Sequence, residues 1–399
     1  MLIRLSDTLQ KENSHNDSPR KIVIIAGEFS GEIHASHLME TMKGSLLASF
    51  SGMGSKKLQE AGMNVIYDYR KISLTGISEI LGKIKDIREA DKIIKQHIVK
   101  EKPSLVILVD FPGFNLRIAK FSKKHGIPVV YFIAPQVWAW RKSRIHKIRE
   151  RTDKVLCILP FEEQLYKEYG VDATYVGHPF MKTVKPMYSR NDFYNMIGIE
   201  EKGPIITILP GSRENEVEKH MPILLSILDK IKQHANIPAV LLPLAENING
   251  HRVESLLSGY PKIRVFKGLS YDALAYSDLA IAASGSVTLE AAILGTPTIV
   301  IYKVSRLSYL LARLLVNIQF ISLPNIIAGK EIFPEFIQQL NPEKIAEKAL
   351  FMLNNGREEI KHDLNEVKEK LGVFDSYQHT SDEIVKLMEN IYGTLPKTS

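Results

Sequence analysis

The residues best suited to chemistry stand at the ends of short apolar runs. In LPGSRENEVEKH, the apolar run stops at Leu209, Pro210 and Gly211 turn the chain, and Ser212 is a suitable N-cap for a helix. Open N–H groups at a helix start attract anions, and Arg213 adds a planar fork that matches phosphate. The same residues also read as a capped helix with an exposed arginine, and this stretch alone does not separate the two. The theme returns in DLAIAASGSVTLEAAILGTPTIVIY, from Asp278. There Ser284, Gly285, Ser286 and Thr288 are small enough for a diphosphate to approach the backbone. Glu290 follows one turn into the helix, and helical side chains lean toward the N-terminus. Its carboxylate is thereby placed for ribose hydroxyls, although an acid near a helix start also simply favours the dipole. Two phosphate-type loops in one chain favour the nucleotide reading.

Three further groups lie in the first half. AGEFSGEIHASH puts Glu28, Ser30 and Gly31 just after an apolar run, but it lacks the GxGxxG spacing, so a sugar- or acceptor-side loop and an ordinary turn both remain open. Asp110 closes PSLVILVD and opens FPGFN. It is placed either as a general base for a sugar hydroxyl or as an Asx-turn acid before Pro112. Trp138 and Trp140 precede Arg141, Lys142, Arg144, Lys147, Arg149 and Arg151. Aromatics beside a basic run suit nucleic acid, sugar stacking or a membrane interface, and equally a core with a solvated helix face.

What must position these groups is a series of parallel strands. KIVIIAG, PSLVILVD, GIPVVYFIAP and DKVLCILP are short and apolar throughout and alternate with helical patterns. Such strands are covered on both faces, which predicts an α/β fold with a doubly wound parallel sheet. The pattern restarts at GPIITILPGSR and continues through IPAVLLPLA, KIRVFKG, DLAIAASG and TPTIVIY. The expectation is two Rossmann-like domains, residues 21–180 and 181–373, facing across a cleft. A polar N-terminal extension, 1–20, precedes them, and a C-terminal helix, 374–399, packs back on the first domain.

The chain has 399 residues, which suits two cores rather than one. No apolar run reaches the roughly 18 residues of a membrane span, and the N-terminus lacks a signal-peptide core. The single cysteine, Cys157, excludes an intrachain disulfide framework. These features predict a cytoplasmic protein. A net charge of +7 favours acidic partners. Two segments have basic amphipathic character: Ile77, Ile80, Leu81, Ile84 and Ile87 with flanking lysines, and Leu307, Leu310, Leu311, Leu314 and Leu315 with Lys303, Arg306 and Arg313. Each reads as a surface-lying membrane helix or as a core-facing one.

Several stretches together resemble the lipid-A-disaccharide synthase family: AGEFSGEIHA, VDFPGFNL, APQVWAWR, LPFEEQLY, VGHP, LPGSRENEV, ASGSVTLEAA and SLPNIIAGKEIFPEFIQ, in this order from Ile22 to about Gln338. The resemblance implies a GT-B glycosyltransferase fold. It implies inverting transfer of 2,3-diacylglucosamine from UDP to the 6-hydroxyl of 2,3-diacylglucosamine 1-phosphate, giving a β(1→6) disaccharide. By the same resemblance Asp110 is the catalytic aspartate and Arg213 the essential arginine near the diphosphate. Asn325 and Glu290 join Gly211, Ser212, Ser284, Gly285 and Ser286 at UDP. No cofactor or metal is implied. The partners implied are the two acylated sugars and the anionic inner face of the inner membrane, with a homodimer compatible and nucleic acid not expected. Gly113 and Glu32 depart from the family pattern, which has an acid at the first position and an aspartate at the second. Competing readings are an undecaprenyl-linked N-acetylglucosaminyltransferase, a UDP-N-acetylglucosamine 2-epimerase and a non-enzymatic basic binder.

Overall fold

The computed structural model describes residues 18–72, 83–139, 143–199, 203–257, 259–303, 318–355 and 357–396. The chain divides into two compact units, Met1–Pro179 with Phe374–Ser399, and Phe180–Val373. In chain order the first runs β1 (Arg20–Ala26), α1 (Phe29–Ser45), β2 (Ala48–Gly54), α2 (Lys56–Glu60), β3 (Asn64–Asp68), α3 (Ile84–Glu101), β4 (Leu105–Val109), α4 (Pro112–Lys124), β5 (Val129–Phe132), α5 (Arg144–Arg151), β6 (Lys154–Cys157), α6 (Pro160–Glu168) and β7 (Ala173–Tyr175). The second runs α7 (Phe180–Thr183), α8 (Arg190–Ile197), β8 (Ile205–Leu209), α9 (Glu214–Lys232), β9 (Ala239–Leu244), α10 (Gly250–Glu254), β10 (Ile263–Lys267), α11 (Ser270–Ala275), β11 (Leu279–Ala283), α12 (Ser286–Leu294), β12 (Thr298–Tyr302), α13 (Leu323–Ala328), β13 (Glu335–Ile337), α14 (Pro342–Asn354) and α15 (Arg357–Leu371). The last helix, α16 (Ser376–Tyr392), returns to the first unit.

The first unit holds a seven-stranded sheet in the order β3-β2-β1-β4-β5-β6-β7, and the second a six-stranded sheet in the order β10-β9-β8-β11-β12-β13. All the pairings are parallel. This is the doubly wound α/β architecture that the apolar runs predict. In β1, Ile22, Ile24 and Ala26 pack with α1 and α16 on one face, while Val23 and Ile25 pack with α3, α4 and α5 on the other. That two-sided burial is why the central strands contain almost no polar residue.

Sheet register fixes the loops that matter. Ala26 pairs with Val109, so the turns after β1 and β4 lie side by side. Ala282 pairs with Leu209, so the turns after β8 and β11 do the same in the second unit. Ligands of such sheets bind outside the carboxyl ends of the strands, next to the point where strand order reverses. In both units these two turns flank that point.

Some expectations change. Ile84 is the first residue of α3 and is half-buried, and Ile87 on the same helix packs against the core rather than forming a surface stripe. The helix instead buries Ala90, Ile94 and Ile98. Ile77, Ile80 and Leu81, and likewise Leu310, Leu311 and Leu314, lie outside the described residues, as does Trp140. Among the described residues no helix is long and apolar enough to cross a membrane.

Candidate active site

In the second unit, two strand-turn-helix openings line one cavity of about 530 Å³. Leu209, Gly211, Ser212 and Arg213 form one wall, and Ser284, Gly285, Ser286, Val287 and Glu290 form another. Glu216, Glu246, Gly268 and Ser270 complete it from neighbouring elements.

The β11 opening suits an anion. Gly285 is the N-cap of α12 in extended backbone, and a Cβ built on it would meet no atom within 4 Å. Thr288 N donates back to Gly285 O at 3.2 Å. The N–H groups before it belong to the first turn, which has no helical acceptors, and their residues line the cavity. Ser286 Oγ donates to Glu290 Oε1 at 3.2 Å. Burial pushes the Glu290 carboxyl up to about 7, opposed by that hydroxyl. A carboxyl poised there will take polar donors that stabilise its charged form.

The β8 opening differs from the sequence reading. The N-cap of α9 is Arg213, not Ser212. The backbone N–H groups of Ser212 and Arg213 both donate to Glu216 Oε2, at 3.0 and 3.3 Å, and Arg213 Nη1 donates to Glu216 Oε1 at 3.3 Å. The internal carboxylate fills the donors that had been assigned to phosphate. His220 stiffens the base of this loop: its ring bonds Pro210 O through Nδ1 at 2.6 Å, and Lys303 N donates to Nε2 at 3.3 Å. Since Nε2 accepts, Nδ1 carries the proton and donates.

Asn325 does not reach the cavity. It is fully buried, and its Nδ2 donates to Phe333 O and Glu335 Oε1 at 2.8 and 2.9 Å. Its Oδ1 accepts from Ile332 N and Phe333 N, both at 2.8 Å. All four of its hydrogen-bonding positions are used inside the protein, so it shapes the SLPN loop rather than touching a ligand.

In the first unit, Glu28 caps α1, and Ser30 and Gly31 sit in its first turn. The helix begins at Phe29. Glu28 and Ser30 are exposed, whereas Gly31 is buried against Val109 and Asp110. Asp110 and Phe111 both adopt left-handed backbone, φ +48° and +47°. For residues with a Cβ this costs about 1–3 kcal/mol each. Asn115 Nδ2 and the Tyr131 hydroxyl offset it by donating to Asp110 O at 2.6 and 2.8 Å. The Phe111 ring then lies where a Cβ on Gly27 would stand, at 2.1 Å. Position 27 therefore has no room for a side chain. Asp110 thus stands just past the carboxyl end of β4, with its Cβ beside Gly31 in the first turn of α1. Burial raises its carboxyl above the usual range, and the Phe111 N–H opposes that shift.

Sequence reading missed Glu162. It is buried on α6 and takes Trp138 Nε1 at 3.0 Å and Leu159 N at 3.2 Å. Burial pushes its carboxyl up to about 7. The LPFE stretch placed an acid after a strand, but only the tertiary pairing with Trp138 marks it. Glu32 is also turned inward: it accepts from Ser55 N and Ser55 Oγ at 2.6 Å each, from Leu58 N at 3.2 Å and from the Tyr69 hydroxyl at 3.1 Å. Gly113 is exposed, with open space where a Cβ would stand.

Two doubly wound parallel sheets make the GT-B fold, which solved glycosyltransferases and UDP-GlcNAc 2-epimerases share. A glycosyltransferase from Rickettsia africae matches with TM-score 0.58 and 14% identity, over 94% of this chain and 99% of that one. A UDP-GlcNAc 2-epimerase from Neisseria meningitidis, solved with UDP-GlcNAc, matches with TM-score 0.56 and 13% identity, over 93% and 100%. At such identities these likenesses speak for the fold. The family follows from sequence: the lipid-A-disaccharide synthetase family model matches residues 22–386. Lipid-A-disaccharide synthase of Syntrophus aciditrophicus is 40% identical over 358 residues, 88% of this chain and 94% of that protein. The synthase of Myxococcus xanthus is 34% identical over 377 residues, 93% and 98%. The chain belongs to the lipid-A-disaccharide synthase family, and it is a glycosyltransferase of lipid A biosynthesis.

Proposed function

We propose that this enzyme moves 2,3-diacylglucosamine from UDP to the 6-hydroxyl of 2,3-diacylglucosamine 1-phosphate, with inversion to a β(1→6) link. The observation that carries the nucleotide half is the α12 opening: first-turn N–H donors, open space over Gly285, and Glu290 one turn on, facing one cavity with Arg213. A structural neighbour from Staphylococcus aureus was solved with UDP, at TM-score 0.59, which supports a UDP-sugar as donor.

The chemistry then needs few groups. Asp110 accepts the proton of the attacking hydroxyl, and its raised affinity for protons suits that task. The acceptor oxygen bonds to the anomeric carbon as the bond to the UDP oxygen breaks. The α12 N-terminus and Arg213 stabilise the charge that grows on the departing diphosphate. Glu290 holds the ribose. Glu28 and Ser30, at the start of α1, are assigned to the sugars. Acylated substrates and a net charge of +7 favour a peripheral position on an anionic membrane surface.

Replacement of Asp110 tests the assignment. Asp110→Asn keeps the shape and removes the base. The expected result is transfer reduced to about one hundredth or less, in keeping with general-base catalysis, while UDP binding measured by calorimetry stays at the parent value. A rate above a tenth of the parent's removes Asp110 from the base role.

A further inference from the structure

The donors of the β8 opening are already engaged by a side chain of the protein. Glu216 presents two anionic oxygens, much as the edge of a phosphate does. One takes the Ser212 and Arg213 N–H groups and the other takes the Arg213 guanidinium. Gly211 belongs to the same arrangement. Its φ is +127°, and a Cβ there would come within 2.5 Å of Glu216 Oε2, so glycine makes room for the carboxylate. The Arg213 side chain is 74% exposed and that of Glu216 is 27% exposed, so the guanidinium is free to swing while the carboxylate stays docked. At the α12 opening the carboxylate of Glu290 accepts instead from the Ser286 hydroxyl.

We propose that Glu216 is a built-in anion that competes with the nucleotide's phosphates for Arg213, and thereby sets how tightly UDP is held and how readily it leaves. The inference rests on reading the cavity as the UDP site. A phosphate entering that cavity meets an arginine whose charge is already paired. It must draw the guanidinium off Glu216 or share it, and two anions on one cation in a partly desolvated pocket repel each other. Glu216 is thus a positioning residue that acts through Arg213. It lowers the affinity for the product UDP, while the backbone bonds it makes hold the loop.

Calorimetric titrations of UDP and of uridine into the full chain test this, using the parent, Glu216→Gln, Arg213→Ala and the double variant. Glutamine keeps the size and one oxygen for the backbone donors, and far-UV circular dichroism checks the fold. The expected result is UDP binding about two- to fivefold tighter in Glu216→Gln, the scale of a partly exposed ion pair. Uridine binding is unchanged, and the gain is absent when Arg213 is alanine. In turnover, the inhibition constant of UDP falls by the same factor. If the glutamine variant does not fold, Glu216→Asp withdraws the charge from Arg213 and has the same expected sign. Unchanged or weaker UDP binding in a folded variant overturns the proposal and leaves Glu216 as a cap. The site reading fails separately if Arg213→Ala leaves UDP affinity unchanged, or if the parent binds UDP no better than uridine.

Discussion

Position 285 asks for glycine neither by its backbone, which is extended, nor by its packing, since a Cβ would meet nothing. What remains is the space itself, and a methyl group placed there intrudes only on an occupant. Gly285→Ala should fold with less than about 1 kcal/mol lost at the cap. It should bind UDP at least about tenfold more weakly, the scale of one misplaced methyl in a fitted pocket. Unchanged affinity by calorimetry would move the diphosphate elsewhere. Glu290 gives a second prediction. Burial pushes its carboxyl up to about 7. Ribose hydroxyls donate to the charged form and lower that value, so UDP binding releases protons near pH 7 and tightens as pH rises through it. Calorimetry in buffers of different ionisation enthalpy should show the release in the parent and not in Glu290→Gln. Proton uptake would mean that Glu290 donates instead. Residue types and spacing made these groups legible. They did not reveal Glu216 or Glu162, whose roles depend on which N–H each carboxylate meets.

Elements explain both the agreement and the misses. Central strands were readable because burial on both faces leaves only apolar residues, as in β4, all five residues of which are buried. The three-residue edge strands β7 and β13 are too short for any periodic signal, and β2, with its serines and glycines, does not look apolar. The cap of α9 was misplaced by one residue because Ser212 fits the N-cap rule by type, while Glu216 closes the turn from inside the helix onto Arg213. Asn325 looked like a ligand group because sequence does not display the four backbone and side-chain partners that occupy it. At the α6 start, Glu162 makes a prediction for the first unit. Its folded carboxyl titrates at about 7, above the ordinary glutamate value of 4.5. The folded state therefore holds the proton more tightly. The stability this gives is complete below pH 4.5 and is lost as pH rises through 7. The bookkeeping loss is at most about 3 kcal/mol. The thermal midpoint should fall between pH 5 and pH 8, and Glu162→Gln should flatten that fall, even though it weakens the bond to Leu159. An equally steep fall in the variant would assign it to other groups.

At the scale of the molecule, composition gave the class and little more. The chain is long enough for two cores, and two units are present. The return of α16 to the first unit joins residues far apart in sequence: Tyr377 contacts His34 with its hydroxyl 2.9 Å from Nδ1, and Ser376 donates to Gly177 O at 2.9 Å. No local pattern carries such pairings. The family likeness spans both units, residues 22–386. The most direct measurement incubates the purified chain with UDP-2,3-diacylglucosamine and 2,3-diacylglucosamine 1-phosphate, and follows both products by mass spectrometry and proton NMR. The account predicts disaccharide 1-phosphate and UDP in equal amounts, with the new glycosidic proton showing the β configuration. Free diacylglucosamine without disaccharide, or an α-linked product, would contradict it.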